Sequence, residues 1–514
     1  MKPIVTINNS NVKIEGLEED TRKILWNELA FKVKNCEFMP IYRRGFWDGY
    51  IRLSQLNYNN IYFKLGLIYR SLNLLKEENI EYDLVDLRKL PTKFDLSPTE
   101  KEYTLKGKTF PLRLEQKLAV TKYCSLNLGK KSHFGRGIIE FPPRVGKSLA
   151  VGVLAKTLNV YPFLFIVNQI DLAYQTQPVF ESIFEQPVGI IADGQTNVKA
   201  PIVISTIQSI YKAFNVKIDG TVTREVKGKK VDIKIGGRLF EENEVVTRAD
   251  LIRDFVNKVK NVSIDEAHHS ASAQFQELNN ILESAIYISG CTGTPDNDQG
   301  NEMLIEQLCG PVYYSLTPEY CVEKGYILPM ELNMIEVPAK KVSGDDFQTI
   351  RKEAVRENIK IDQETKKIVK KLHSDFKSSV IMVSTKLQGK RVSEFLKVPF
   401  LHGGVKGTER QRVYKQLEKK NILTIVSTVT DEGVDITTLD ACIVIDIVKS
   451  KVKIKQRARC RTPHKNKKNP HLSKKVGYMF YIYPANDYIT KHANIVRNVL
   501  KKDKTVTIKE YISK

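Results

Sequence analysis

The stretch Gly137-Ile138-Ile139-Glu140-Phe141-Pro142-Pro143-Arg144-Val145-Gly146-Lys147-Ser148 decides the fold of this chain. An apolar run typical of a buried strand leads into a loop, and a helical pattern follows over Leu149–Leu158. In this order, backbone N–H groups at the helix start can cradle a phosphate, Lys147 can supply a positive charge, and Ser148 can hold Mg²⁺. The first glycine of the usual GxxxxGK[ST] pattern is absent, so an accidental Gly-Lys-Ser is the alternative. We predict a phosphate loop whose nucleotide contacts come from Pro143, Arg144, Val145, Gly146, Lys147 and Ser148.

A second motif, Val262-Ser263-Ile264-Asp265-Glu266-Ala267-His268, places an acidic pair at the end of another apolar strand. Asp265 is suited to hold Mg²⁺ through water, and Glu266 to polarise an attacking water molecule. An acidic pair that merely caps a strand is the alternative. Because both motifs occur in the expected order at strand ends, we predict an ATPase site that uses ATP and Mg²⁺. Its catalytic residues are Lys147, Asp265 and Glu266, and its metal ligands are Ser148 and Asp265.

Apolar strands alternate with helical patterns from about residue 110 onward, and the alternation occurs in two series. Phe163–Val167 belongs to the first series and Val380–Val383 to the second. Residues 1–90 mix short strand and helix patterns instead. We therefore predict an α/β protein with two tandem doubly wound parallel-sheet domains, at 110–325 and 326–514, after a small N-terminal α+β domain at 1–90. A β-hairpin is predicted within 216–239, either as a strand-separating element or as a surface excursion without function.

The charge balance favours a polyanionic partner. Lys and Arg number 81 against 59 Asp and Glu, which leaves a net charge of +22. Lys449–Lys475 holds twelve Lys or Arg and no acid. These features are typical of nucleic-acid binding, although a solvated basic face is the alternative. The seven cysteines form no CxxC pair, and we find no apolar run of membrane length or signal sequence, so we expect a cytoplasmic protein without a zinc site or a membrane contact.

The motifs resemble those of superfamily 2 helicases, because Asp265-Glu266-Ala267-His268 is their DEAH box and other motifs follow in family order. The resemblance implies RecA-like folds for both large domains. It also implies that Gln116, in Arg113-Leu114-Glu115-Gln116, reads adenine, with a helix-surface Gln as the alternative. Thr206 and Gln208 resemble a motif that touches backbone phosphates. Gly290–Pro295 resembles motif III, which links the ATP state to the grip on nucleic acid; a plain β-turn is the alternative.

Two further motifs lie in the second large domain. Ile425–Asp435 resembles motif V, which implies that Thr428 contacts a phosphate and Asp435 lies near the ribose. The last motif, Gln456-Arg457-Ala458-Arg459-Cys460-Arg461, departs from the family pattern Gln-x-x-Gly-Arg-x-x-Arg. The resemblance implies that one arginine stabilises the γ-phosphoryl transition state. Arg459 is the first candidate and Arg461 the second, and a tract that only binds DNA is the alternative.

The segment Phe38–Leu53 resembles the N-terminal module of the phage branch-migration helicases. Arg43, Arg44 and Arg52 could pair with phosphates while Phe46 and Trp47 stack or wedge against bases, unless both aromatic side chains are simply core. The resemblance implies an ATP-dependent DNA helicase acting on branched or forked DNA: fork regression, Holliday-junction migration, and D-loop or R-loop dissociation.

The same resemblance implies that the protein acts in phage replication, recombination and repair, in the cytoplasm of an infected bacterium. Phage single-strand-binding or recombination proteins are candidate partners, and we expect a monomer because the sequence has no heptad segment. The alternatives are a duplex translocase that does not separate strands, a catalytically inactive DNA-binding scaffold, and an RNA helicase.

Overall fold

The computed structural model of the chain describes residues 2–91, 93–105, 107–128, 134–143, 145–215, 220–226, 229–235, 247–293, 302–428, 436, 438–447, 450–458, 460–463 and 474–513. The chain divides into two units, one of residues 1–138, 148–291 and 301–313, and one of residues 139–147, 292–300 and 314–514. None of the helices in the described ranges is both long and apolar enough to cross a membrane.

The N-terminal module is built on a five-stranded sheet in the order β5-β6-β2-β1-β7. Its elements are β1 Ile4–Ile7, β2 Asn11–Glu15, α1 Glu19–Glu28, β3 Ala30–Lys32, α2 Pro40–Arg43, β4 Tyr50–Arg52, β5 Ser54–Asn57, β6 Asn60–Lys64, α3 Ile68–Glu77 and β7 Asp83–Asp86. Buried and less buried residues alternate along β1 and β2, which is the period of a strand with one covered face. Val5, Ile7, Val12 and Ile14 form the core on that face.

The first large sheet has eight strands in the order β13-β12-β14-β11-β17-β18-β10-β19. The elements are β8 Glu102–Leu105, β9 Lys108–Pro111, α4 Leu114–Leu126, β10 Arg136–Glu140, α5 Lys147–Leu158, β11 Phe163–Val167, α6 Ile170–Phe184, β12 Gly189–Ala192, β13 Gln195–Thr196, β14 Ile202–Thr206, α7 Ile207–Asn215, β15 Gly220–Val226, β16 Lys229–Ile235, α8 Arg248–Lys258, β17 Asn261–Asp265, α9 Ala273–Ile281, β18 Tyr287–Thr292, α10 Glu302–Cys309 and β19 Val312–Ser315. Strands β11, β14 and β17 are buried at every position, as expected where helices cover both faces of a parallel sheet. In the segment predicted as a hairpin, β15 and β16 pair antiparallel; residues 216–219, 227–228 and 236–239 lie outside the described ranges.

The second large sheet has seven strands in the order β22-β23-β21-β24-β25-β20-β26. The elements are α11 Pro318–Glu323, β20 Met330–Val337, α12 Phe347–Ile350, a π-helix at Arg351–Arg356, α13 Ile359–Ser374, β21 Ser379–Met382, α14 Lys386–Leu396, β22 Phe400–Leu401, α15 Gly407–Glu418, β23 Thr424–Ser427, β24 Ala441–Val444, α16 Lys451–Arg457, β25 Gly477–Pro484, α17 Asp487–Lys501 and β26 Val506–Ile512. Every strand pair in this sheet is parallel. Two parallel-sheet α/β cores after a small α+β module confirm the predicted fold class.

The N-terminal module packs closely on α10 of the same unit. The Gly66 backbone lies so close to α10 that a Cβ atom there would overlap the Glu306 carbonyl oxygen. Arg70 forms two charge-assisted bonds to the Glu306 carboxylate, the longer measuring 3.0 Å. The buried Arg136 donates to the Asn9 carbonyl oxygen at 2.6 Å. Close backbone contact, an ion pair and a buried arginine therefore join the module to the first large sheet.

Candidate nucleotide and nucleic-acid sites

The predicted phosphate loop joins β10 to α5. Lys147 and Ser148 are the first two residues of α5, at the helix start where backbone N–H groups can bind an anion. Gly146, just before the helix, has φ +90°, where a side chain would be strained. Val145 is buried and its N–H donates to the Pro142 carbonyl oxygen at 3.4 Å. Pro143, Gly146, Lys147 and Ser148 are partly exposed, and Arg144 lies outside the described residues.

The acidic pair follows β17. Asp265 ends the strand and is 6% exposed. One oxygen of its carboxylate, Oδ1, accepts the Glu266 N–H at 3.0 Å and the Cys291 S–H at 3.2 Å. Glu266 has φ 48°, a left-handed conformation that non-glycine residues seldom adopt and that is concentrated at functional sites. Its carboxylate lies 3.5 Å from Nδ1 of His268.

Both motifs therefore lie at strand ends, as the sequence predicts. Strands β17 and β18 are parallel, with Asp265 directly opposite Cys291. The Ile288 N–H donates to Gly135 O at 2.9 Å, and the Phe141 N–H donates to Thr292 O at 3.0 Å. This pattern of hydrogen bonds shows that β10 is parallel to β18. The carboxyl ends of parallel strands are where α/β proteins bind their ligands.

The oxygen donors of these motifs suit Mg²⁺. Magnesium prefers carboxylates, hydroxyls and water, and it keeps several of its waters when it binds. Asp265 supplies a carboxylate that is buried and oriented by two donors, and Ser148 supplies a partly exposed hydroxyl at the start of α5. The residues present therefore fit a magnesium ion held in part through water.

Gln116 is not a surface residue. Its side chain is 2% exposed, and its Oε1 accepts the Arg113 N–H at 2.9 Å across the first turn of α4. The alternative of a helix-surface glutamine is therefore wrong. The role of Gln116 in reading adenine stays a prediction.

The predicted phosphate-contacting residues differ in exposure. Thr206 ends β14, is 3% exposed, and its hydroxyl lies 2.9 Å from that of Ser209. Gln208 is exposed at the start of α7 and donates to the Asn168 carbonyl oxygen at 3.2 Å. Thr428 follows β23 and is partly exposed, and its N–H donates to Leu401 O at 3.0 Å. Gln208 and Thr428 are thus the more accessible candidates.

The arginines of the last motif are placed unequally. Arg461 is 8% exposed, donating from Nε to Leu328 O at 2.7 Å and from Nη1 to the Asp503 carboxylate at 2.6 Å. Its Nη2 bonds the Thr505 hydroxyl. This network favours a structural role for Arg461. Arg459, the first candidate for the transition-state arginine, lies outside the described residues, as does Asp435.

The segment 38–51 carries an exposed apolar surface, which we call the N-terminal ridge and define by Phe38, Met39, Ile41 and Phe46. These side chains are 66%, 41%, 51% and 78% exposed, so the alternative that Phe46 is core is wrong. Arg43 and Arg44 beside them are exposed as well. Four exposed apolar side chains within nine residues form a candidate interaction surface.

Trp47 and Arg52, both predicted to contact DNA, make contacts within the module itself. Trp47 is partly buried and its indole N–H donates to Tyr50 O at 2.8 Å. The Arg52 guanidinium pairs with Asp48 at 2.5 Å and stacks 4.0 Å above the Trp26 ring. Neither the contact of Arg52 with Trp26 nor the bond from Cys291 to Asp265 was predicted from the sequence. Both contacts join segments that are distant along the chain. The aromatic residue at position 26 was therefore the only feature of the sequence that could have indicated either contact.

Comparison with known proteins covers most of the chain. Residues 109–297 match the family model of the Type III restriction enzyme res subunit, and residues 360–462 match that of the helicase conserved C-terminal domain. The ATP-dependent DNA helicase uvsW of Enterobacteria phage T4 is 23% identical over 479 residues, covering 87% of this chain and 84% of the relative. The DNA 3'-5' translocase XPB2 of Sulfurisphaera tokodaii is 23% identical over 352 residues, covering 60% of this chain and 71% of the relative.

Among solved structures, the ATP-dependent Type ISP restriction-modification enzyme LlaBIII bound to DNA has a TM-score of 0.53 at 15% identity. The match covers 87% of this chain and 34% of that enzyme chain. At this identity the likeness concerns the fold alone. It agrees with two RecA-like domains.

Proposed function

Since the chain is a superfamily 2 helicase that resembles UvsW of phage T4, we propose that it hydrolyses ATP to act on branched DNA. One observation carries most of the support. The phosphate loop and the acidic pair both follow the carboxyl ends of strands in one sheet, and φ is positive at Gly146 and at Glu266. A pair of chance motifs has no reason to share this placement.

Particular residues of the chain are assigned to each part of the proposed ATP hydrolysis. Lys147 and the first N–H groups of α5 bind and orient the phosphates. Glu266 accepts a proton from, or orients, the attacking water, while Asp265 and Ser148 would hold Mg²⁺. The bound ion supplies neutralisation of the phosphate charge. Gln116 and Asp435 would contact the nucleoside, and Arg459 would stabilise the charge that develops on the γ-phosphoryl group.

DNA contacts are proposed on two surfaces. The N-terminal ridge offers bases an apolar stacking surface, and Arg43 and Arg44 offer the neighbouring phosphates two positive charges. Gln208 and Thr206 of the first unit would hold a strand by its backbone, and Thr428 of the second unit would contact a phosphate. A net charge of +22 adds a general attraction to DNA. Because the ridge belongs to a module packed on α10, it would meet a branch point from a fixed position on the first unit.

We further propose the cellular setting that the resemblance to phage branch-migration helicases implies. The protein would act on forks, Holliday junctions, D-loops and R-loops during phage replication, recombination and repair. It would work as a monomer in the cytoplasm of the infected host, with phage single-strand-binding or recombination proteins as partners.

The decisive experiment measures ATP hydrolysis with and without a synthetic four-way junction, together with junction dissociation on a native gel. The unmodified protein should show junction-stimulated hydrolysis and dissociation. Lys147→Ala and Glu266→Gln should lower turnover by about 100-fold or more while the junction affinity stays near that of the parent. Glu277→Gln, an exposed carboxylate on α9, is the matched control and should change neither property. Parental hydrolysis in Glu266→Gln would exclude the assigned role.

A duplex translocase is the second candidate, because residues 109–297 match a restriction-enzyme family and XPB2 is named a translocase. Stimulated hydrolysis without strand separation on a forked substrate would support it. An absence of hydrolysis would leave a DNA-binding scaffold. Stimulation by RNA in place of DNA would move the assignment to an RNA helicase.

A further inference from the structure

Cys291 occupies a position that its sequence motif does not explain. It lies on β18 directly opposite Asp265 on β17, and side chains at paired positions of neighbouring parallel strands point to the same face of the sheet. Its thiol is completely buried and donates to Oδ1 of Asp265 at 3.2 Å.

The residue before Cys291 is closely packed. Gly290, the preceding residue of β18, is so close to its neighbours that a Cβ atom would lie 2.8 Å from Cβ of Ala267 and 3.2 Å from Sγ of Cys309. Because successive residues of a strand point to opposite faces, these contacts restrain β18 on the face of the sheet opposite to that of Cys291. Because the Glu266 N–H also donates to Oδ1, one donor from β18 and one from the residue after β17 converge on one oxygen of the carboxylate.

We propose that Cys291 is a positioning residue, which sets the rotation of the Asp265 carboxylate through its S–H group and so raises the affinity of the site for the divalent cation. The inference rests on the proposed function, since Asp265 is assigned there to hold Mg²⁺. Groups that orient a metal-binding side chain contribute strongly to metal affinity, and their loss commonly weakens binding by 10- to 100-fold. A thiol is a weak donor, so we expect a value of about tenfold, at the low end of that range.

The test separates the donor from the volume of the side chain. Cys291→Val keeps an apolar side chain of similar size without a donor, whereas Cys291→Ser keeps a donor in a smaller side chain. Mn²⁺ binding in the presence of ADP, followed by the electron paramagnetic resonance signal of free Mn²⁺, reports the cation site without any turnover. Cys124→Val, at another buried thiol on α4, is the matched control for the loss of a buried S–H.

We expect Cys291→Val to weaken Mn²⁺ binding about tenfold, and Cys291→Ser and Cys124→Val to stay within about twofold of the parent. Cys291→Ala, which introduces no bulk, should match Cys291→Val and replaces it if the valine variant does not fold by circular dichroism. Parental affinity in Cys291→Val and Cys291→Ala would overturn the inference, and so would an equal loss in Cys291→Ser. A parent protein that binds no Mn²⁺ with ADP would instead overturn the proposed function, and the inference with it.

Discussion

Replacing Arg461 with alanine tests whether the last motif carries one structural arginine beside the catalytic candidate. The side chain of Arg461 is 10% exposed and that of its partner Asp503 is 18% exposed, so the pair is largely shielded from water. The same guanidinium bonds the Leu328 carbonyl oxygen and the Thr505 hydroxyl. The Leu328 N–H in turn donates to Arg461 O at 2.7 Å. Arg461→Ala therefore leaves three acceptors without their donor.

The cost follows from the burial of the pair. Removing one member of a buried ion pair destabilises a protein by about 3–5 kcal/mol, because the remaining charge is left without compensation. Asp503 retains some contact with water, which lowers the expected loss in the free energy of unfolding to about 2–4 kcal/mol. Arg497, paired with Glu510 at 2.8 Å, is the matched control. Since those side chains are 34% and 54% exposed, Arg497→Ala should cost about 1 kcal/mol or less.

Urea unfolding followed by circular dichroism measures both variants, and ATP hydrolysis per folded molecule is measured in parallel. We expect the transition of Arg461→Ala at lower urea than that of Arg497→Ala, with near-parental hydrolysis by the folded fraction. A variant as stable as the parent but without hydrolysis would refute this reasoning. In that case Arg461 itself would be the transition-state arginine.

Three further predictions concern other parts of the molecule. Phe46→Ala should leave stability within about 0.5 kcal/mol, since the ring is 78% exposed, but should weaken four-way-junction binding in fluorescence anisotropy by about 1–3 kcal/mol for one lost stacking contact. Gly66→Ala should destabilise the module by about 1–3 kcal/mol through overlap with Glu306 O and speed hydrogen exchange there, whereas Gly403→Ala, with open space around its Cβ, should not. Burial lowers the pKa of His373, so the unfolded state binds more protons near its ordinary pKa of about 6.5, and stability should fall as the pH falls through that range. His373→Gln should show a smaller drop in the urea midpoint between about pH 8 and about pH 5.5, and an equal drop would exclude His373 as the source.

Local patterns were sufficient for the parts of the fold that depend on neighbours in sequence. Continuous apolar runs such as Phe163–Val167 are buried strands because a parallel sheet covered on both faces demands such runs. The Gly-Lys-Ser and Asp-Glu motifs lie at strand ends because strand, loop and helix follow one another within a few residues. The end of the sheet at which the motifs lie and the start of the helix after the phosphate loop could thus be predicted without knowledge of tertiary contacts.

The exposure of individual side chains could not be predicted from local patterns. A helix-surface position was the alternative for Gln116, which is buried, and a core position was the alternative for Phe46, which is exposed. The type of a residue indicates only its tendency to be buried or exposed. The packing of the neighbouring elements decides which of the two occurs. The same limit applies to Arg461, whose partners Leu328 and Asp503 are far from it along the chain.

The sequence by itself determined the α/β class, the two series of parallel strands and the order of the nucleotide motifs, because these depend on periodicity and short-range spacing. Only the tertiary structure decided that Cys291 bonds Asp265, that Arg52 stacks on Trp26 and that Gly66 contacts α10. Such contacts depend on strand register and on packing between distant segments, and no local pattern in a single sequence records either.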